Sequence, residues 1–496
     1  MLPRNISVIA RIWGALSLGI ALSLALTSIS SVLMGEWGMF RDFMLSILVC
    51  LGFALVCGLV GRKPARNIST RDAIFVVASG WVLASLLGAL PFMFAGELGF
   101  VDAVFESVSG FTTTGSSVMR QLDSIPRSLA MWRSVTHWLG GMGIILLLIA
   151  VLPQLGVGGK LLLLRESTGP TPKGIEPKAQ DTAMLLFLIY VGLTVIGIGA
   201  YMLVGLNFYE AINHAFSAIS TGGFSTRYNS IASFESYPVE LVSILVQLAG
   251  GINFLMYYKL ILRQWGGPLY DTELRVFLGI FAGATLLITA NLCGAQLQMA
   301  GADAATVTYD VVTALRHASF EVSTMMTDCG FVLVNYDEWP VFSQLMLFLV
   351  TMTGGCVGST AGGFKILRLV VLYHVLYNWL ERSCHPKLVT TVRVNKTVVE
   401  ADVANRVMYF LGLYVLWMTF GIFFMSFAGL PFEGAVTSVI ATMNNCGPGL
   451  GVVGPSTDFS DINTVGTIYL TVNMLVGRLE MVTFLVLLLP SFWRRS

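Results

Sequence analysis

Four short segments, each ending in glycine, recur along this chain: Thr112-Thr113-Thr114-Gly115, Ser220-Thr221-Gly222-Gly223, Thr327-Asp328-Cys329-Gly330 and Asn444-Asn445-Cys446-Gly447. Their glycines stand 108, 107 and 117 residues apart. Each segment follows an apolar stretch too short to cross a bilayer and precedes a stretch of the roughly 20 residues that crossing needs. One such turn is ordinary loop punctuation. Four at one period and in one setting demand a fold of four covalently joined quarters around a common centre.

The solvent for that fold is lipid. Of 496 residues, 55% are hydrophobic and 11% charged, against roughly 25% charged in soluble domains. Apolar runs near 8–34, 42–61, 73–95, 129–152, 182–205, 238–262, 273–296, 341–376, 406–428 and 464–490 predict ten transmembrane helices. Short stretches near 101–112, 209–220, 309–327 and 431–443 predict re-entrant helices. With ten spans, 22 of the 29 basic residues fall in loops on one side, so the positive-inside rule puts both termini in the cytoplasm and the glycine segments at the outer face. The first run lacks a clean cleavage site and reads as a retained helix.

The expected fold is therefore an all-α integral membrane protein. It has ten transmembrane helices and four re-entrant pore loops, in four pseudo-symmetric helix–pore loop–helix repeats around one ion pathway. Its parts are two leading helices (1–65), a first repeat (66–165), a second (166–265), a third with a gate loop (266–385) and a fourth (386–496).

A cation entering a membrane must exchange hydration water for other oxygens. Backbone carbonyls supply them where glycine permits the dihedrals that turn them inward. The short helices would aim their negative C-terminal ends at the ion. Thr, Ser and Asn beside the glycines either add oxygens or hold the loops in place. Nine residues before the glycines stand Glu106, His214, Glu321 and Ser438, which either bind the backbone behind the filter or raise the local cation concentration, or equally are polar contacts within the pore wall. Asp328 is the one charged residue within the four segments, and sequence leaves open where its side chain points.

Two departures from the repeat suggest control. The run 341–376 is interrupted by Gly354, Gly355, Gly358, Ser359, Thr360, Gly362 and Gly363, ending at Lys365. Irregular backbone at membrane depth is tolerated only inside protein or beside water, so this is a candidate gate. It lacks the spacing of a phosphate-binding loop. Arg478 stands in an apolar helix where the other quarters have Gly141, Gly251 and Gly355. A charge at that depth costs about 2.5–3.5 kcal/mol on insertion scales, so it should face the pore or pair with Glu480 or another carboxylate.

These motifs, with Trp138-Leu139-Gly140-Gly141-Met142-Gly143 and the stretch 354–365, resemble the Trk/Ktr/HKT superfamily of potassium transport proteins over essentially the whole chain. The two leading helices resemble its TrkH/TrkG branch. The resemblance implies filter glycines at Gly115, Gly223, Gly330 and Gly447, K⁺ as the transported ion and an intramembrane gate loop. It further implies a homodimer in the bacterial cytoplasmic membrane and a cytoplasmic, nucleotide-binding TrkA-type subunit. The basic loops 154–181 and 377–406 are long enough to dock such a subunit.

The expected function is K⁺ uptake without enzymatic activity. A potential of about −150 mV supplies roughly 3.5 kcal/mol per charge, enough to concentrate K⁺ several hundred-fold without coupling. A Na⁺-permeable or K⁺/Na⁺ (or H⁺) symporting relative stays open, although in plant relatives serine at the Gly115 position accompanies Na⁺ preference. A KdpA-like subunit of a K⁺ ATPase is a further alternative. Nothing in composition or charge points to nucleic acid. Five dispersed histidines without metal spacing argue against a membrane enzyme, and seven scattered cysteines against a disulfide framework.

Overall fold

The computed structural model describes residues 6–62, 70–120, 122–143, 179–264, 266, 270–298, 306–388, 390–395, 397–399, 401–479 and 481–494. Two leading helices, α1 (Ile6–Leu33) and α2 (Trp37–Val60), are followed by α3 (Thr70–Gly88), α4 (Leu90–Phe94), α5 (Phe100–Phe111) and α6 (Arg127–Gly141). Next come α7 (Ala179–Leu203), α8 (Phe208–Ile219), α9 (Tyr237–Gly251) and α10 (Phe254–Ile261). The third group is α11 (Thr272–Leu292), α12 (Val311–Met326), α13 (Val341–Thr353) and α14 (Ile366–Cys384). The last is α15 (Ala401–Phe427), α16 (Phe432–Asn444), α17 (Thr464–Arg478), α18 (Met481–Leu488) and α19 (Pro490–Trp493).

The packing is that of a protein in lipid. Helix α1 buries Ser17, Thr27, Ser28, Ser30 and Ser31 while exposing Leu18, Leu22, Leu26, Ile29 and Leu33. Small and hydroxyl residues let helices approach closely where lipid gives leucine no reason to hide. Thus Ser17 Oγ donates to the Cys50 carbonyl of α2 at 2.7 Å.

Among the described residues, six helices are long and apolar enough to cross a membrane, with α3 and α4 counted together, and up to eight spans result if two bent pairs each count once. The ten expected spans are therefore not all single helices. The span expected over 238–262 bends by 96° between α9 and α10; Asn253 starts the new helix by accepting the Leu255 N–H at 2.9 Å. That over 464–490 bends by 117° between α17 and α18. The run 341–376 is divided into α13 and α14 by the loop 354–365. Of the span expected over 129–152, residues 144–152 lie outside the described residues, as does most of the loop 154–181. The chain is also not purely helical. Two short antiparallel hairpins, β1 (Gln296–Gln298) with β2 (Thr306–Thr308) and β3 (Arg393–Val394) with β4 (Thr397–Val398), cap loops between helices.

The four short apolar stretches form α5, α8, α12 and α16, close to their expected ranges. All four bury almost every residue of their second halves.

Candidate functional site: a ring of four helix ends

Each short helix stops in the same way. Thr113, Thr221, Asp328 and Asn445 adopt left-handed φ values of 54°, 55°, 57° and 59°. The next residue reaches back to the helix: Thr114 to the Ser109 carbonyl (2.9 Å), Gly222 to Ser217 (2.8 Å), Cys329 to Thr324 (2.8 Å) and Cys446 to Ala441 (2.9 Å). This is the Schellman ending, usually built on glycine. Asp and Asn tolerate that conformation, whereas a β-branched Thr there is strained. The surroundings must hold it.

One residue earlier, side chains brace the last turn. Thr112 Oγ1 donates to Val108, Ser220 Oγ to Phe216, Thr327 Oγ1 to Ser323 and Asn444 Nδ2 to Ile440, at 2.6–2.8 Å. These four polar groups hold the loops rather than reaching away from them.

The glycines close the ring. Gly115, Gly223, Gly330 and Gly447 have φ of 85°, 78°, 79° and 96°. A Cβ on Gly115 would overlap the Gly222 carbonyl oxygen, one on Gly223 that of Cys329, and one on Gly330 that of Cys446. A Cβ on Gly447 would stand 2.8 Å from the Thr114 carbonyl oxygen. Each segment thus touches the next in chain order, and the fourth returns to the first. Ser116 Oγ also donates to the Gly447 carbonyl at 3.1 Å, and Asn445 Nδ2 to Thr114 Oγ1 at 2.9 Å. All four glycines line one depression, whose rim carries Arg227, Tyr228 and Asp458.

Behind the ring stand struts. Glu106 accepts from Ser117 Oγ (3.0 Å), Val118 N (3.0 Å) and Arg133 Nε (2.7 Å), and the Arg133 guanidinium lies 3.9 Å from the Phe224 ring centroid. His214 Nε2 meets Ser225 Oγ at 3.0 Å. Glu321 Oε1 accepts from Leu333 N and Val334 N at 3.0 and 3.2 Å. All three ionisable groups are fully buried, bound to the chain just beyond each glycine. In the fourth quarter Ser438 turns to its own helix, and neighbouring Thr437 accepts the Leu450 N–H at 3.0 Å.

Asp328 is fully buried, and neither carboxylate oxygen has a hydrogen-bond partner among the described residues. It points to neither the outer vestibule nor solvent. A methyl on Gly363 would stand 3.2 Å from its Oδ2, so it abuts the interrupted helix.

That interruption crosses beneath the ring. Thr360 Oγ1 donates toward the carbonyls of Ile219 (2.9 Å) and Gly250 (3.0 Å), and Cys356 N to that of Gly251 (2.9 Å). A Cβ on Gly362 would overlap the Asn444 carbonyl oxygen. Gly354, Gly358 and Gly363 have φ of 65°, 75° and 72°, which lets the loop turn repeatedly. Gly355 and Thr360 are buried, Gly358 is exposed, and Ser359 Oγ ties back to the Cys356 carbonyl at 2.6 Å. Lys365, itself at φ 77°, donates to the Ala361 carbonyl.

Arg478 completes the closure. Its Nη1 donates to the Thr360 carbonyl and its Nη2 to the Gly140 carbonyl, both at 2.8 Å. The charge, expected to face the pore or to pair with a carboxylate, donates to backbone carbonyls of the loop and of α6. The alternative partner Glu480 lies outside the described residues.

An apolar helical protein that turns four helix C-termini and their carbonyls into one closed ring has the build of a membrane cation pathway. The TrkH family profile, described as a cation transport protein, matches residues 40–495, and the chain belongs to this family of transporters. The Trk system potassium uptake protein TrkH of Halomonas elongata is 34% identical, over 99% of this chain and all of that one. TrkG of the Trk potassium uptake system of Escherichia coli K12 is 34% identical over 87% of each chain. The crystal structure of the potassium transporter TrkH from Vibrio parahaemolyticus aligns with a TM-score of 0.86 at 31% identity, covering 98% of this chain and 99% of that one.

Proposed function

We propose that this protein carries out K⁺ uptake across the bacterial inner membrane, through a selectivity filter formed by Thr112–Gly115, Ser220–Gly223, Thr327–Gly330 and Asn444–Gly447. The observation that carries this reading is the cyclic contact of each filter glycine with a carbonyl of the next segment. A dehydrated monovalent cation in that ring exchanges water for backbone oxygens from four segments. The four inward helix C-termini add favourable dipole potential. Glycine at all four closing positions matches a K⁺ filter rather than a Na⁺-preferring one, and the relatives named for potassium uptake support the same ion.

The loop 354–365, fastened by Arg478, is the gate in its closed position. The four quarters divide near residues 66, 166, 266 and 386, both termini are cytoplasmic, and the protein works as a homodimer with a TrkA-type nucleotide-binding subunit. Purified protein in liposomes, assayed for ⁸⁶Rb⁺ uptake against competing K⁺, Na⁺ and Cs⁺, tests the reading. K⁺ should compete at least tenfold better than Na⁺, about 1.4 kcal/mol. Equal competition by Na⁺ would overturn the selectivity.

A further inference from the structure

The cytoplasmic hairpin β3–β4 is tied to the gate by a continuous set of short hydrogen bonds. The first turn of a helix leaves four N–H groups without intrahelical partners. In α11, Asp271 Oδ1 accepts the Leu274 N–H at 2.9 Å. The Thr272 N–H donates to a distant segment, to Asn395 Oδ1 at 2.7 Å, while Asn395 Nδ2 donates to Asp271 Oδ2 at 2.7 Å. Asn395 stands at the turn of the hairpin with φ 50°, a conformation Asn accepts more readily than most residues. The hairpin is anchored by Val394 and Val399, both buried, and by the Val399 N–H to Val392 carbonyl bond of 2.8 Å.

One residue into α11, Glu273 is buried and its Oε1 accepts the Val357 N–H at 2.7 Å. Val357 is in the gate loop, directly after Cys356, which is bonded to Gly251. Asn395 and Glu273 thus meet at the first turn of α11, one bonded to it from the hairpin and the other reaching from it to the loop.

We propose that Glu273 and Asn395 are positioning residues for the gate: Asn395 fixes the first turn of α11 to the cytoplasmic hairpin, and Glu273 transmits that position to the loop at Val357. This rests on the reading of 354–365 as a gate. The hairpin thereby becomes the handle through which a cytoplasmic partner would open the pathway.

The test uses full-length protein in liposomes, with two readouts: partner-free ⁸⁶Rb⁺ flux, and maleimide modification of Cys356 read by peptide mass spectrometry. Cys356 is 1% exposed, so labelling reports loosening of the loop independently of transport. Glu273→Ala and Asn395→Ala should each raise Cys356 labelling and flux about tenfold, since a hydrogen bond to a charged group contributes about 1.5–3 kcal/mol. Glu273→Gln, which keeps the acceptor but not the charge, should raise labelling less than Glu273→Ala does. The double alanine variant should exceed Glu273→Ala little, because both act through one connection. Arg478→Gln distinguishes the two levels of the argument. If it raises flux while Cys356 stays protected in both alanine variants, the connection is overturned and the gate stands. If Arg478→Gln also leaves flux unchanged, the gate falls and the connection with it. Asn395 is exposed, so its variant retains the fold even if Glu273→Ala does not.

Discussion

Arg478 holds Thr360: a guanidinium on the fourth inner helix donates at 2.8 Å to a carbonyl in the loop of the third. Its other terminal nitrogen binds the Gly140 carbonyl of α6, so one side chain links three quarters beneath the ring. Replacing it with Gln removes two charge-assisted bonds, each contributing about 1.5–3 kcal/mol. Partner-free ⁸⁶Rb⁺ flux should rise at least tenfold with membrane insertion intact. Unchanged flux would show that the arginine does not restrain the loop.

Gly115→Ser tests the ring itself. A side chain there would overlap the Gly222 carbonyl oxygen while holding φ at 85°, a strain of about 1–3 kcal/mol. The displaced carbonyl should lower discrimination of K⁺ over Na⁺ by about tenfold, about 1.4 kcal/mol, measured by competition of the two ions for ⁸⁶Rb⁺ uptake.

Arg133 and Glu106 form a fully buried pair, exposed by 1% and 0%. Removing one partner of such a pair costs about 3–5 kcal/mol because the other charge stays buried. Arg133→Met should lower the thermal midpoint in detergent steeply and abolish flux. Adding Glu106→Gln should recover part of the stability, since the amide still accepts from Val118. A single variant as stable as wild type would mean that the strut is dispensable.

Asp328→Asn keeps the side-chain shape and removes the capacity of this buried carboxyl to carry a charge. An ionised carboxylate there would attract a monovalent cation in the ring, the more strongly because the effective dielectric inside a protein is about 20 rather than that of water. Lys365 and Arg478, whose fields reach the same carboxylate, cancel part of this. The half-saturating K⁺ concentration should rise severalfold with the maximal rate less affected. An unchanged half-saturation would place the carboxyl in its neutral form at rest.

Asp337, in the loop between α12 and α13, supplies a pH dependence. Burial pushes its carboxyl up to about 6; a hydrogen bond with the Gly451 backbone opposes this, and Glu433 and Glu338 add to it. The folded protein therefore binds this proton more tightly than the unfolded chain. That stabilisation is complete below about pH 4 and lost as pH rises through about 6. Asp337→Asn should gain thermal midpoint relative to wild type between pH 4.5 and 7, measured by unfolding at fixed ionic strength. A constant difference across that range would remove Asp337 as the cause.

Much of the pathway was legible because the repeat is written in the chain. Gly115, Gly223, Gly330 and Gly447 announced themselves by period, and α5, α8, α12 and α16 by apolar length. The bend between α9 and α10 was not legible, because Gly251 and Asn253 on either side of Ile252 interrupt the apolar run too briefly to lower its hydropathy, and hydropathy has no sense of direction. The roles of Glu106, His214 and Glu321 were evenly open. Their alignment was visible, but their partners, Ser117, Val118 and Arg133 for Glu106, Ser225 for His214 and two backbone N–H groups for Glu321, are brought to them only by the fold.

The sequence by itself determined the solvent, the fourfold plan and the positions where a side chain cannot be accommodated, since hydropathy and glycine are properties of single residues. Tertiary structure alone decided what the exceptions do. Arg478 could have faced an ion or a carboxylate, and Asp328 the vestibule or the pore. The role of Arg478 depends on which backbone carbonyls lie within about 3 Å, and that of Asp328 on a buried setting that offers its carboxylate oxygens no hydrogen-bond partner among the described residues. Those distances arise only when quarters more than 100 residues apart close into one ring.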